Sequence, residues 1–219
     1  MMMQFRNRVE AGQQLARRLT KYANRPGVLV LALPRGGVPV GYEVAQALNA
    51  PLDVFVVRKL GVPGHEELAM GAIASGGVRV LNRSVVEGLQ ISDDVIDEVA
   101  ARELRELERR ERTYRDGRPV PDVQGRTVIL VDDGIATGST MKAAIEALRQ
   151  LEAGRIVVAT PTAALSTVRE MRPDVDDFVA VMAPADFSGV GQWYEDFSQT
   201  TDEEVRELLA NSSQSPNPT

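Results

Sequence analysis

Residues 128–140 read VILVDDGIATGST, and the change of character along this stretch decides the fold. Its first four residues are continuously apolar, the pattern of a strand buried on both faces of a parallel sheet. Two carboxylates, Asp132 and Asp133, follow at the carboxyl end of that predicted strand, where open α/β sheets bind their ligands. Gly134-Ile135-Ala136-Thr137-Gly138-Ser139-Thr140 then leads into a helix predicted over 139–151. Such a turn exposes backbone N–H groups at a helix N-terminus and adds the hydroxyls of Thr137, Ser139 and Thr140, so it suits a phosphate. The aspartates would repel a phosphate that faced them. A ligand satisfying the whole stretch presents phosphate to Ala136, Thr137, Gly138, Ser139 and Thr140, and hydroxyls or a metal ion to Asp132 and Asp133. A ribose 5-phosphate does both. The plainer alternative is a helix-capping turn with solvated acids, against which the preceding strand and following helix weigh. A Walker A loop does not fit, because no Gly-Lys-Ser/Thr stands at the turn. A receiver domain also begins with an acidic pair after a strand, but it needs no Thr-Gly-Ser-Thr turn.

Upstream, Val28 to Leu33 (VLVLAL) is a second buried-strand run, ending at Pro34-Arg35-Gly36-Gly37. A helix over 39–49 and a strand over 52–57 (LDVFVV) complete a parallel βαβ opening. The glycines let backbone amides approach an anion, and the Arg35 guanidinium can assist. Alone, this is equally an ordinary strand-to-helix turn. Residues 58–82 are rich in Gly and Pro and read as a loop with a hairpin-like excursion, starting from the basic pair Arg58-Lys59. Residues 92–115 read as a long helix with Ser92 as N-cap, acids in its first turn and bases toward its end. Its Glu and Arg residues, three and four apart, suit a solvated face. Strands over 127–131, 155–160 and 177–182, with helices over 8–22 and 166–171, fill out an alternating pattern. From Asn211 the sequence NSSQSPNPT is polar and Pro-rich, hence expected to be disordered. With no repeat and no dividing linker, residues 1–210 are expected to form one domain, with a core over about 27–182.

Composition narrows the chemistry. The 219 residues contain no cysteine and one histidine, His65, which removes thiolate nucleophiles and disfavours His-based triads and multi-histidine metal sites. Carboxylate-bound magnesium needs neither residue type. A formal net charge of -6 argues against a general nucleic-acid binder. No apolar run reaches the roughly 18–20 residues of a membrane span. The opening MMMQFRNRVEAGQQLARRL shows no signal-peptide core, so cytoplasm is the expected location.

VILVDDGIATGST resembles the PRPP-binding signature of the type I phosphoribosyltransferases, and LALPRGGV resembles their pyrophosphate loop. FRNRVEAGQQLARRL, RKLGVPGHEELAMGA, the long acidic-basic helix and VGQWYEDFSQTTDEEV extend the likeness over nearly the whole chain, to bacterial stand-alone phosphoribosyltransferases of unassigned acceptor. The resemblance implies a doubly wound, mostly parallel sheet with a C-terminal hood over about 183–200 and the long helix as an extra element. It implies that Asp132 and Asp133 hold the ribose hydroxyls, directly or near Mg2+, and that residues 136–140 cradle the 5-phosphate. Arg35, Gly36, Gly37 and Lys59 would take the pyrophosphate, with Arg58-Lys59 also readable as a solvated strand end. Residues 59–77 would be the flap that closes over the reacting centre, with His65 either a participant or an exposed loop residue. Trp193 and Tyr194, in an aromatic-rich segment after the last core strand, would either stack on the acceptor ring or pack in the core. Hypoxanthine-guanine enzymes carry a carboxylate where this chain has Ala136, whereas adenine and orotate enzymes carry Ala, so a 6-oxopurine acceptor is less favoured.

The expected activity is transfer of ribose 5-phosphate from PRPP to a nitrogenous small-molecule acceptor in nucleotide metabolism, with release of pyrophosphate. The competing readings are a non-catalytic PRPP or nucleotide-binding regulator on the same fold, and a related phosphoribosyl hydrolase or phosphorylase. Neither nucleic acid nor membrane is an expected partner; the sequence does not give the oligomeric state, and a homodimer is one option, since dimers are common among similar folds.

Overall fold

The computed structural model describes residues 4–212. Its elements run α1 (Arg8–Arg18), β1 (Val28–Ala32), α2 (Gly37–Leu48), β2 (Leu52–Val54), β3 (Val57–Val62), β4 (His65–Ala74), β5 (Val78–Leu81), α3 (Arg83–Gly88) and α4 (Asp93–Arg115), followed by β6 (Thr127–Val131), α5 (Ser139–Gln150), β7 (Arg155–Thr162), α6 (Leu165–Met171), β8 (Asp177–Met182) and α7 (Asp202–Ser212).

The apolar runs become the central strands because side chains alternate across a strand and both faces of this sheet are covered. Val28, Val30 and Ala32 of β1, with Ile129 and Val131 of β6, enter the core on the side of α1, α2, α4 and α7. Leu29 and Leu31, with Val128 and Leu130, enter the core under α5 and α6. Each fully buried side chain of this kind contributes roughly 1.5–3 kcal/mol. The sheet has the order β2-β1-β6-β7-β8, and every pairing in it is parallel. From β1 the chain moves outward to β2, then returns on the other side of β1 to β6. That reversal opens a crevice above the carboxyl ends of β1 and β6, the topological switch point of the sheet.

The predicted strand over 52–57 divides. Val54 is the last residue paired with β1, and Val56 N–H instead donates to Ser75 Oγ at 2.8 Å, turning the chain into β3. Residues 58–82, read from sequence as loop and hairpin, form a second, antiparallel sheet β3-β4-β5. Its glycines do not break strands but allow close approach: a Cβ on Gly61 would lie 2.7 Å from Glu66 O, and one on Gly71 2.3 Å from Val80 O. Helix α4 packs along β3 and β4 and against α7. Its end is fixed by Arg115, 2% exposed, which pairs with Asp53 at 2.9 Å and Glu111 at 2.7 Å and donates to Val54 O at 2.6 Å.

Helix α7 lies outside the sequence expectations and runs through Ser212, so the expected tail starts too early at Asn211; its remainder, 213–219, lies outside the described residues. The helix does carry a sequence signal. Thr201 Oγ1 accepts Glu204 N–H at 3.1 Å while Glu204 Oε2 accepts Thr201 N–H at 3.4 Å, a reciprocal capping box. The hood after β8 is also larger than expected, because the N-terminal segment belongs to it. Phe5 N–H donates to Trp193 O at 2.9 Å, Glu195 N–H to Phe5 O at 2.8 Å and Asp196 N–H to Arg6 O at 2.9 Å. Phe5, Ala11, Trp193 and Tyr194 form a small core of their own there. Among the described residues no helix is long and apolar enough to cross a membrane.

Candidate functional site

Two turns and an acid pair meet at the switch point. After β6, Asp132 and Asp133 lead into residues 134–138, which are anchored to the end of β7: Ile135 N–H donates to Thr162 O at 2.9 Å, and Ala164 N–H returns to Ile135 O at 2.9 Å. Thr167 Oγ1 donates to Ala136 O, fixing the loop from α6. Gly138 precedes α5 in the left-handed region at φ +73, and a Cβ there would also meet Thr167 Cγ2 at 2.8 Å, so both conformation and space require glycine. No side chain caps α5, and Ala136, Thr137 and Ser139 of the turn before and at its start are exposed, so the helix N-terminus is open to an anion. The expected 5-phosphate residues are thus assembled in one turn.

After β1, Leu33 N–H donates to Val131 O at 2.9 Å, so the turn from Pro34 to Gly37 is carried directly over the end of β6. Its Pro34-Arg35 peptide is cis. A Cβ on Gly36 would stand 2.0 Å from Asp133 Oδ2, and one on Gly37 2.8 Å from Val131 O and 3.1 Å from Asp132 Cα. The two glycines are what allow this turn to lie against the acid pair. Helix α2 starts there, likewise without a side-chain cap. Arg35 is partly exposed and stands 3.6 Å from Asp202, which also accepts the Tyr114 hydroxyl at 3.0 Å.

The two acids differ. Asp132 is half-buried and its Oδ1 accepts Asp133 N–H at 2.9 Å. Asp133 is 9% exposed, and its Oδ2 accepts Arg8 Nε at 2.8 Å. Burial and the Asp133 charge push Asp132 well above the usual carboxylate range. Burial raises Asp133 as well, against the opposing pull of Arg8. Arg8 lies in the FRNRVEAGQQLARRL segment, but nothing in the sequence assigns it to the site; only the folding of the N-terminal segment into the hood brings it here.

Other expected residues fall elsewhere. Lys59 is exposed on β3 and lines a cleft of about 310 Å³ with Ser139, Thr140 and Lys142, beside the start of α5 and not beside Arg35. Arg58 is not available as a pyrophosphate contact, because its guanidinium is committed to Glu103 of α4 at 2.6 Å and 3.0 Å. His65 is exposed at the tip of the β3-β4 hairpin. Trp193 and Tyr194 are 7% and 4% exposed. Trp193 stacks on Phe187 with ring centroids 6.0 Å apart. Tyr194 packs between Phe5 and Phe197, and its hydroxyl donates to Asp133 O at 2.6 Å. Both rings are thus packed inside the hood in this structure. No group of three or more His or carboxylate side chains able to hold a metal ion occurs among the described residues. A magnesium ion fits such a site only as one that takes most of its ligands from water and substrate phosphates, with one or two carboxylates nearby.

A parallel sheet whose switch point carries two uncapped amide turns and an acid pair, roofed by a hood, is the type I phosphoribosyltransferase fold. The chain belongs to the family of the phosphoribosyl transferase domain, whose model matches residues 4–187. It is similar to two proteins of Mycobacterium tuberculosis, from strains CDC 1551 and H37Rv, each named "Putative phosphoribosyl transferase". Each is 48% identical over 205 residues, covering 94% of this chain and 46% of the relative. The chain therefore spans about half the length of the curated relatives it matches. Among solved structures it is similar to TT1426 from Thermus thermophilus, at 41% identity and a TM-score of 0.84, covering 95% of this chain and 99% of that one.

Proposed function

We propose that the chain transfers a 5-phosphoribosyl group from PRPP to a nitrogen nucleophile and releases pyrophosphate. The observation that carries this reading is the convergence across the β1/β6 crevice: two glycines too close to the acid pair to bear side chains bring one amide turn against it, while the second turn continues from it.

In the reaction, the bond from the anomeric carbon to pyrophosphate breaks with its electron pair leaving on pyrophosphate. A bond to the acceptor nitrogen forms, and the proton lost from that nitrogen passes to the departing pyrophosphate or to solvent. Residues 136–140 hold the 5-phosphate at the open N-terminus of α5, which fixes the sugar's distance from the other turn. The Gly36 amide with the Arg35 guanidinium stabilises the departing charge, while the Gly37 N–H is already committed to Leu33 O at 3.1 Å and shapes the turn. Asp132 receives ribose hydroxyls and, with Asp133, supplies negative potential beneath a ring that becomes cationic. Lys59 adds a cation from the β3 side of the cleft that Ser139 and Thr140 also line. Magnesium, when bound with PRPP, would neutralise charge on the pyrophosphate.

The test is pyrophosphate release from PRPP and magnesium across a panel of nucleobases and small amines, with Asp132→Asn alongside the wild-type chain. Acceptor-dependent release that falls about 100-fold or more in the variant supports the transferase. PRPP binding without release under any acceptor supports the regulator reading instead, and release without an acceptor supports a hydrolase.

A further inference from the structure

Among the described residues, the cation seated on the acid pair comes from the N-terminal helix. Arg8 opens α1, directly after the segment that pairs with the hood. Its guanidinium is used in three directions: Nε donates to Asp133 Oδ2 at 2.8 Å, Nη1 donates to Ser198 O at 2.6 Å, and its Cζ lies over the Phe197 ring, 4.1 Å from the centroid. Its side chain is 12% exposed, as is that of Asp133. The hood grips the same aspartate from its other end, through the Tyr194 hydroxyl on Asp133 O at 2.6 Å. Gly36 completes the enclosure, since a Cβ there would lie 3.2 Å from Arg8 Nε as well as against Asp133. Acid pair, pyrophosphate-side turn and hood thus meet on one guanidinium.

From this geometry we propose that Arg8 is a positioning residue of the sugar-phosphate site: it locks the hood onto Asp133 and leaves Asp132 as the acid that meets the ligand. The proposal rests on the transferase reading for what the site binds, but not for how the hood is held. A planar guanidinium can give two divergent hydrogen bonds and still lie on an aromatic ring. An ammonium is a point charge that can serve Asp133 or Ser198 with less of the stacking, and a neutral amide leaves Asp133 without its counter-charge.

Trp193, the only tryptophan of the chain, sits in the hood next to Tyr194 and reports on hood closure without any substrate. The experiment compares full-length wild type, Arg8→Lys and Arg8→Gln by acrylamide quenching of Trp193 and by the KM and kcat of PRPP-dependent pyrophosphate release, each variant first checked for native circular dichroism. The expected result is a quenching constant that roughly doubles in Arg8→Gln and rises to an intermediate value in Arg8→Lys, as for locally opened structure. KM for PRPP is expected to rise about tenfold in Arg8→Gln, with kcat changed much less and part of the loss restored in Arg8→Lys. Should Arg8→Gln not fold, Arg8→Lys alone decides by the same two readouts. Wild-type quenching and wild-type KM in a folded variant overturn the proposal. A hood that loosens in the variants of a chain that never releases pyrophosphate retires the transferase reading and keeps the role of Arg8. Normal release together with an unchanged hood does the reverse.

Discussion

Replacing Gly36 by alanine separates a conformational argument from a steric one. Gly36 has φ -61 and ψ -30, a right-handed helical conformation that alanine adopts freely. On backbone grounds alone the substitution would stabilise the fold by roughly 0.4–1 kcal/mol, through the unfolded chain. Space decides otherwise. The new Cβ would lie 2.0 Å from Asp133 Oδ2 and 2.7 Å from its Cγ, separations that real side chains essentially never show. The carboxylate has to move by about 1 Å or the turn has to lift, and either stretches the 2.8 Å Arg8–Asp133 pair. Overpacking typically costs about 1–3 kcal/mol, so after the backbone gain the net loss comes to about 1.3 kcal/mol. With a urea dependence of about 2–3 kcal/mol per molar, the unfolding midpoint falls by about 0.4–0.7 M. Trp193 fluorescence during urea titration measures it, and calorimetric titration with PRPP measures the second consequence, an affinity lower by about tenfold or more. Gly88→Ala is the control: it is helical and an added Cβ meets nothing there, so the backbone argument alone applies and stability should rise by about 0.4–1 kcal/mol. A Gly36→Ala protein that unfolds at or above the wild-type midpoint and binds PRPP normally would refute the claim that this turn lies against the acid pair.

Gly138→Ala faces both penalties, a left-handed φ of +73 and Thr167 Cγ2 at 2.8 Å, so urea titration should show a loss of about 2–4 kcal/mol, with a raised KM for PRPP. Arg115→Ala leaves the carboxylates of Asp53 and Glu111 without their shared counter-charge and should cost about 3–5 kcal/mol at neutral pH. Burial already raises Asp53 against the pull of Arg115, and removal of the arginine raises it further. A raised carboxyl favours the folded state when protonated, so the deficit of this variant should shrink on acidification toward about pH 5, measured as melting temperature against pH. Tyr114 is pushed up to about 12 by burial and by its bond to Asp202. The folded state then holds the phenolic proton more tightly than the unfolded chain. Its stabilisation is complete below pH 10 and is lost as pH rises from 10 to about 12. Tyrosinate absorbance should show a late phase that Tyr114→Phe removes.

The parts of the site legible in the sequence are those where one short segment performs one physical task. VILVDDGIATGST holds a buried strand, two acids and an anion turn in succession, and the fold uses them in that order. LPRGG is readable for the same reason, although its closeness to Asp133 is not, because that contact joins segments far apart in the chain. Arg8 is illegible on the same account: nothing local distinguishes it from Arg6, and its role depends on Phe5 pairing with residues 193–195. The β3-β4-β5 sheet is hidden by Gly61 and Gly71, which propensity counts as breakers but which serve as close-approach positions. Arg58 and Lys59 look equivalent, yet adjacent residues of a strand face opposite ways, so one reaches Glu103 on α4 and the other the cleft beside α5. Helix α7, by contrast, is announced by Thr201 and Glu204.

The bonds that Arg8 makes span 125 and 190 positions of the chain. A growing polypeptide releases this arginine well before its partner Ser198, which follows 190 positions later. Until residues 193–198 leave the ribosome, the emerging sheet holds Asp133 without its guanidinium and without a roof. On the proposed function, fragments ending short of residue 193 should therefore form an ordered sheet that does not bind PRPP.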